Sequence, residues 1–207
     1  MARTLKDYPS VALKAEYLDD KIDFVRIFGR RGPVHVEIGT GKGAFLLNEA
    51  KAQPDANFFG IERASRYYRY AVDRIGRWGL KNIRIVRTDA AYFLTDFVPD
   101  GSVDCFHIYF PDPWPKKRHN KRRFFCPANM QQLLRALKTG GDLKIVTDQA
   151  EYFEVIKGLI ETEGNTLEEI EFVRPAGAEV GEWVGTNFER KYLKQDIPIY
   201  TLAVRKI

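Results

Sequence analysis

From residue 34 onward, short apolar runs with strand character alternate with amphipathic stretches of helical period. The strand-like runs fall at 34–38, 57–61, 83–88, 103–109, 142–147, 167–172 and 199–206, with helices expected at 43–52, 64–79, 90–97, 124–138 and 151–163. Parallel strands need crossovers of a dozen or more residues, and this rhythm supplies them. The chain therefore predicts an α/β fold: a seven-stranded, mostly parallel sheet with helices on both faces. Within 64–79, Ala64, Tyr68, Ala71, Val72 and Ile75 recur on one face and define its buried side, while Arg66, Arg69 and Arg77 lie opposite and read as solvated. After the fifth strand the rhythm breaks. A Gly/Pro-containing segment begins at Arg174, and 174–189 reads as a loop on the substrate side, because long irregular segments in compact domains are commonly functional. Residues 1–33 show little periodicity and read as an N-terminal arm with a short helix around 19–28.

Length and composition exclude several classes. At 207 residues the chain is the size of one domain, and one domain over 1–207 is expected. No apolar stretch reaches the roughly 18 residues of a membrane span, and the N-terminus has no apolar signal core, so the expectation is a cytoplasmic protein with no membrane partner. Cys105 and Cys126 form no C-x-x-C pair and read as small buried hydrophobes. His35, His107 and His119 are scattered without ligand spacing, so no metal is assigned. Whether the chain is a monomer or a homodimer is left open.

The first strand runs into a glycine-rich turn, Glu37-Ile38-Gly39-Thr40-Gly41-Lys42-Gly43. Glycines there let the backbone turn tightly and approach a ligand closely. Gly39-x-Gly41-x-x-Ala44, with Glu62 about 20 residues on, satisfies a dinucleotide pattern. A phosphate-loop reading fails, because Val36 replaces its leading glycine and Gly43 its Ser/Thr. A nicotinamide or flavin cofactor and S-adenosylmethionine both remain. Glu37 favours the second, since a carboxylate ahead of the glycines repels a pyrophosphate and suits an ammonium and a sulfonium. Glu62 and Asp89, the latter followed by Ala90, end the next two strands, so three acids would line one crevice.

The fourth strand runs into Pro111-Asp112-Pro113-Trp114-Pro115 and then a cationic block. The prolines restrict the backbone on both sides of Asp112 and hold its carboxylate over the same crevice. Trp114 reads equally as a stacking platform or as core. Lys116, Lys117, Arg118, Lys121, Arg122 and Arg123 carry six positive charges against a net +5 for the whole chain, so the basicity is a patch. A cationic patch beside a fixed carboxylate points to an enzyme acting on nucleic acid. A non-catalytic RNA-binding module and a nicotinamide-dependent oxidoreductase are the rival readings.

These segments, together with Gly60-Ile61-Glu62, Thr147-Asp148 and Thr186-Asn187-Phe188-Glu189, resemble the bacterial tRNA (guanine-N7)-methyltransferase family over nearly the whole length from Val34. The resemblance implies a Rossmann-like class I methyltransferase fold with an antiparallel C-terminal strand, S-adenosylmethionine as cofactor and tRNA as partner. The implied reaction is methylation at N7 of guanine 46 in the variable loop. It further implies that Glu37, Gly39, Thr40, Gly41, Glu62, Asp89, Ala90 and Asp112 hold the cofactor, with Asp112 also at the reaction centre. Substrate contacts would come from Lys116, Arg118, His119, Asn120, Lys121, Arg122, Arg123, Asp148, Thr186, Asn187, Phe188 and Glu189. The chain departs from the family at Asp196, where a glycine is usual, which leaves the geometry of the last turn open.

Overall fold

The computed structural model describes residues 4–18 and 20–207; residues 1–3 of the arm, and Asp19 at the start of the helix expected at 19–28, lie outside the described residues. Eight strands form one sheet: β1 (Ala12–Leu13), β2 (Val34–Ile38), β3 (Asn57–Glu62), β4 (Ile83–Arg87), β5 (Val103–Tyr109), β6 (Leu137–Thr147), β7 (Leu167–Ile170) and β8 (Tyr200–Lys206). Their order is β1-β4-β3-β2-β5-β6-β8-β7. Pairings are parallel except that β8 runs antiparallel to both β6 and β7. The seven expected strands are thus joined by a two-residue strand from the N-terminal arm, which pairs with β4.

Helices α1 (Phe24–Phe28), α2 (Ala44–Ala52), α3 (Ser65–Gly76), α4 (Ala90–Phe97), α5 (Pro127–Ala136), α6 (Ala150–Thr162) and α7 (Asn187–Leu193) complete the fold. One face of the sheet packs Phe59, Phe93, Phe106, Met130 and Ile156 under α1, α4, α5 and α6. The other packs Phe45, Leu46, Phe58, Ala71 and Ile75 under α2 and α3, with Val184 from the segment before α7. Coverage on both faces explains why β3 is buried at every position and reads as a continuous apolar run. The chain leaves β2 for β3 and β4 on one side and returns to β5 on the other. A crevice therefore opens at the carboxyl ends of β2 and β5, where open α/β sheets take their ligands.

Helix α7 was not expected. The segment read as loop through 189 becomes helical at Asn187, with Thr186 as N-cap accepting from Glu189 N at 3.1 Å. Thr186-x-x-Glu189 is a capping signature within the irregular segment. Past the helix, Gln195 N and Ile197 N both donate to Tyr192 O, at 2.9 and 3.3 Å, and Asp196 adopts φ 52°. The family glycine would meet that left-handed position without a Cβ penalty, and aspartate is tolerated there at a modest cost. Asp196→Gly is expected to raise stability by about 0.5–1 kcal/mol, read as a higher urea midpoint with an unchanged slope.

Candidate active site

The glycine turn is held open by backbone geometry. Gly39, Gly41 and Gly43 adopt φ of 80°, 54° and 67°, and nothing lies within 4 Å of where a Cβ would stand on Gly39 or Gly41. Left-handed backbone demands glycine at these two positions, and the space beside them is free. Glu62 braces the turn from β3: its carboxylate oxygens accept from Gly41 N at 2.8 Å and Ala64 N at 2.7 Å. Burial pushes its carboxyl up against these backbone donations, and the charge of Asp112 adds to the rise, which places Asp112 in the electrostatic reach of Glu62.

Beneath the turn lies a cavity of about 240 Å³. Glu37, Gly39, Thr40, Gly41, Phe45 and Tyr109 form its floor and walls, Tyr67 of α3 flanks it, and Thr186, Asn187, Phe188 and Lys191 close it from α7. Glu37 Oε2 and Thr40 Oγ1 are buried there without a hydrogen-bond partner. Burial, and secondarily the charge of Glu62, hold the Glu37 carboxyl well above the usual carboxylate range. An orphaned buried acceptor costs about 1–3 kcal/mol, and a cationic donor entering the cavity would remove that cost. These residues fit a ligand that carries an ammonium group.

Asp89 lies two residues past β4, at the same carboxyl edge of the sheet as Glu37 near the end of β2 and Glu62, the last residue of β3. Its Oδ1 caps α4, accepting from Ala91 N at 3.1 Å and Tyr92 N at 3.2 Å, and its Oδ2 lies 3.6 Å from Arg63. Ala90 is the first residue of that helix. Asp89 is exposed, and neither it nor Ala90 lines the cavity.

The Asp112 turn is more constrained than its prolines imply. Phe110 and Trp114, each preceding a proline, adopt φ of 51° and 42°. Extended backbone is the rule before proline, and a bulky residue at positive φ costs about 1–3 kcal/mol. The neighbourhood enforces the conformation. Phe110 N donates to Val146 O at 2.7 Å, and the Phe110 ring packs on Phe188 and Tyr192 of α7, with centroids 6.5 and 5.6 Å apart. Trp114 stands edge-on to His119 at 5.8 Å, with the Arg122 guanidinium 5.0 Å over its ring. Trp114 is therefore neither core nor an open platform; it braces its own loop. Asp112 itself is exposed.

Residues Lys117–Arg122 form a 3-10 helix. Lys116, Lys117, Arg118, Asn120, Lys121 and Arg122 are exposed and His119 is half-buried. Arg123 departs from the expected role. Its side chain is only 6% exposed, its Nε donates to Pro113 O at 2.7 Å, its guanidinium lies 4.9 Å over the Tyr152 ring, and Glu151 pairs with it at 3.2 Å. It is a strut inside the turn, turned away from any phosphate.

Glu189 is corrected in the same way. It is fully buried, and its carboxylate accepts from the backbone N–H groups of Trp183, Val184 and Gly185, so it folds the segment before α7 and does not face a substrate. Thr186, Asn187 and Phe188 do line the cavity. Asp148, at the end of β6, accepts from Gln149 Nε2 at 2.7 Å; Gln149 is the N-cap of α6. Burial, then the charge of Asp148, pushes the Tyr192 hydroxyl up, which sets Asp148 toward α7.

Sequence reasoning missed Tyr109, Phe110, Tyr67 and Lys191 as cavity residues. It also missed that the histidines are not scattered. His35 and His107 lie on the adjacent strands β2 and β5, with His35 Nδ1 3.0 Å from His107 Nε2 and His107 Nδ1 2.7 Å from Tyr109 OH. The donor atoms of His35, Cys105 and His107 all fall within 4.8 Å of one another. Burial drives the His35 imidazole down to about 4 and His107 well below its ordinary value, so both stay neutral. A Tyr109–His107–His35 chain of neutral groups gives both ring nitrogens of His107 a partner.

A family model described as a putative methyltransferase matches residues 31–202. The chain is similar to the tRNA (guanine-N7)-methyltransferase of Rhodopirellula baltica, at 35% identity over 92% of this chain and 72% of that protein. It is also similar to that of Alkalilimnicola ehrlichii, at 34% identity over 96% and 83%. Among solved structures, a 30S ribosomal A1408 methyltransferase from an uncultured bacterium aligns with a TM-score of 0.59 at 19% identity, covering 91% of this chain and 96% of that one. A SAM-dependent methyltransferase from Aquifex aeolicus aligns at 0.57 and 17%, covering 88% and 87%. At these identities the likeness is one of fold.

Proposed function

We propose that this chain, which belongs to the tRNA (guanine-N7)-methyltransferase family, methylates N7 of guanine 46 in the tRNA variable loop with S-adenosylmethionine as donor. The observation that carries the reading is the juxtaposition of an orphaned, buried Glu37 in the glycine-turn cavity with an exposed Asp112, in a turn strained at Phe110 and Trp114, whose charge reaches Glu62 where it braces the glycine turn. S-adenosylmethionine supplies an electrophilic sulfonium methyl. Glu37 would receive its ammonium, Gly39, Thr40 and Gly41 would line its path, Glu62 would offer the remaining lone pairs of its carboxylate to ribose hydroxyls, and Asp89 and Ala90 would border the adenine.

Guanine N7 presents an in-plane lone pair and bears no proton, so its alkylation needs no general base. The purine becomes cationic as the new bond forms. A carboxylate fixed beside it stabilises that charge and, by accepting from the guanine amino and imino groups, aims N7 at the methyl. Asp112 fills that role, with Asp148 sharing in holding the base. Phe188 and Phe110 would enclose it, and Lys116 to Arg122 would meet the RNA backbone. Extruding a guanine is less costly from a variable loop than from a duplex. The test is transfer of labelled methyl to an unmodified tRNA transcript and to its guanine 46→adenine version. Label is expected on the first alone; equal labelling of both would remove the position from the proposal.

Glu37 gives a pH signature. Because its carboxyl sits well above the usual range in the ligand-free protein, an ammonium must displace its proton. Affinity for S-adenosylmethionine should therefore rise with pH and level off once Glu37 is ionised. Calorimetry in buffers of different ionisation enthalpy should register proton release on binding, and Glu37→Gln should abolish that release and weaken binding about 10- to 100-fold. Identical heats across buffers for the native chain would contradict it.

A further inference from the structure

Helix α3 carries a second concentration of cations beside the cavity. Lys42, which lines the cavity, also lines a crevice of about 240 Å³ with Leu5, Tyr70, Asp73, Arg74 and Arg77. Arg77 is committed to Asp73, at 3.0 Å, and Arg190 of α7 to Glu179 and Glu182. Arg74 is different: its side chain makes no hydrogen bond or ion pair with the described residues. Burial, then the charges of Arg190 and Arg77, draws its guanidinium below its ordinary range. A half-buried cation set among other cations is a destabilising arrangement that a bound anion would reverse. Outward along the same helix, Arg66 and Arg69 are exposed, and Tyr67 and Tyr70 show 39% and 38% of their surface.

We propose that this crevice binds a phosphate of the tRNA backbone through Arg74 and Lys42, giving the chain a second hold on its substrate, separate from the Lys116–Arg122 run. The inference rests on the tRNA reading above. Free pyrophosphate has the same chemistry, but the exposed arginines and tyrosines that continue from the crevice along α3 suit a polyanion whose bases and phosphates alternate. The helical spacing that made these arginines read as solvated also lines them up beside the cavity.

The test compares the full chain with Arg74→Gln, Arg74→Lys and Lys81→Gln, the last removing an exposed charge ahead of β4 that does not line the crevice. Affinity for unmodified tRNA is measured across a potassium chloride series. Arg74→Gln should lose about 5- to 10-fold in affinity and lower the log–log salt slope by roughly 0.7–0.9, while Arg74→Lys and Lys81→Gln keep the native slope. S-adenosylmethionine affinity of Arg74→Gln, measured in parallel, should match that of the native chain, and its melting temperature should be no lower, which separates lost contact from lost folding. A native slope in a folded Arg74→Gln overturns this inference and leaves the methyltransferase reading standing. Pyrophosphate that binds the native chain but not Arg74→Gln, with tRNA slopes coinciding, assigns the crevice to small anions and overturns it equally. A native chain that does not bind tRNA at all removes both readings.

Discussion

Asp112→Ala should reduce the single-turnover rate of methyl transfer about 1,000-fold while changing the affinities for S-adenosylmethionine and tRNA by no more than a few-fold. The magnitude follows from the role. A preorganised charge aimed at a developing charge contributes about 2.7–4 kcal/mol, and in the proposed role Asp112 would meet the developing cation of the purine only as the new bond forms. Binding should survive because the cavity around Glu37 and the cationic run are built from other elements. Asp112→Asn separates two contributions: it keeps an acceptor for the guanine edge and loses the negative charge, so it should fall between native and alanine. The transfer rate should show no dependence on a titrating base in either enzyme, since N7 gives up no proton. A rate for Asp112→Ala within 10-fold of native would sink the assignment.

The second large effect is expected at Arg123, through folding. Arg123→Ala removes a charged, partly buried donor to Pro113 O and the buried packing of the guanidinium over Tyr152. The loss should be about 2–4 kcal/mol, with the ion pair to Glu151 contributing little because that carboxylate is 76% exposed. Activity should fall further than stability explains. Arg123 holds the carbonyl next to Asp112 while Phe110 and Trp114 sit at positive φ, and without it the turn can relax to ordinary backbone. Arg123→Lys should not rescue, because an ammonium cannot reproduce a planar fork that donates and stacks at once. Urea denaturation and single-turnover kinetics on the same samples check both halves. Lys121→Ala is the contrast: native stability, with a shallower salt dependence of tRNA binding.

Arg123 also shows where sequence reasoning stops. Six cations within eight residues look alike, and which of them turns inward depends on Tyr152 of α6, 29 residues downstream. Glu189 is the parallel case. Its place in the motif was visible, but three converging backbone amides, and not a substrate, occupy its carboxylate. What was legible was what local pattern controls: the strand and helix rhythm, the glycine turn, the acids ending successive strands. The antiparallel last strand came from the family resemblance. His35 and His107 looked scattered because 72 residues separate them; only the β2–β5 pairing, decided by the topology of the whole sheet, brings them within 3.0 Å. The positive φ at Phe110 and Trp114 was hidden for another reason. Local preference before proline points to extended backbone, and tertiary contacts overrule it.

Incubating the full chain with methyl-labelled S-adenosylmethionine and unmodified tRNA, then cleaving the RNA at N7-methylguanine, decides whether the chain methylates guanine N7. Label in the tRNA and strand cleavage at one guanine of the variable loop are expected, both lost with Asp112→Ala. Label on any other atom, or binding of both ligands with no transfer, would contradict that activity.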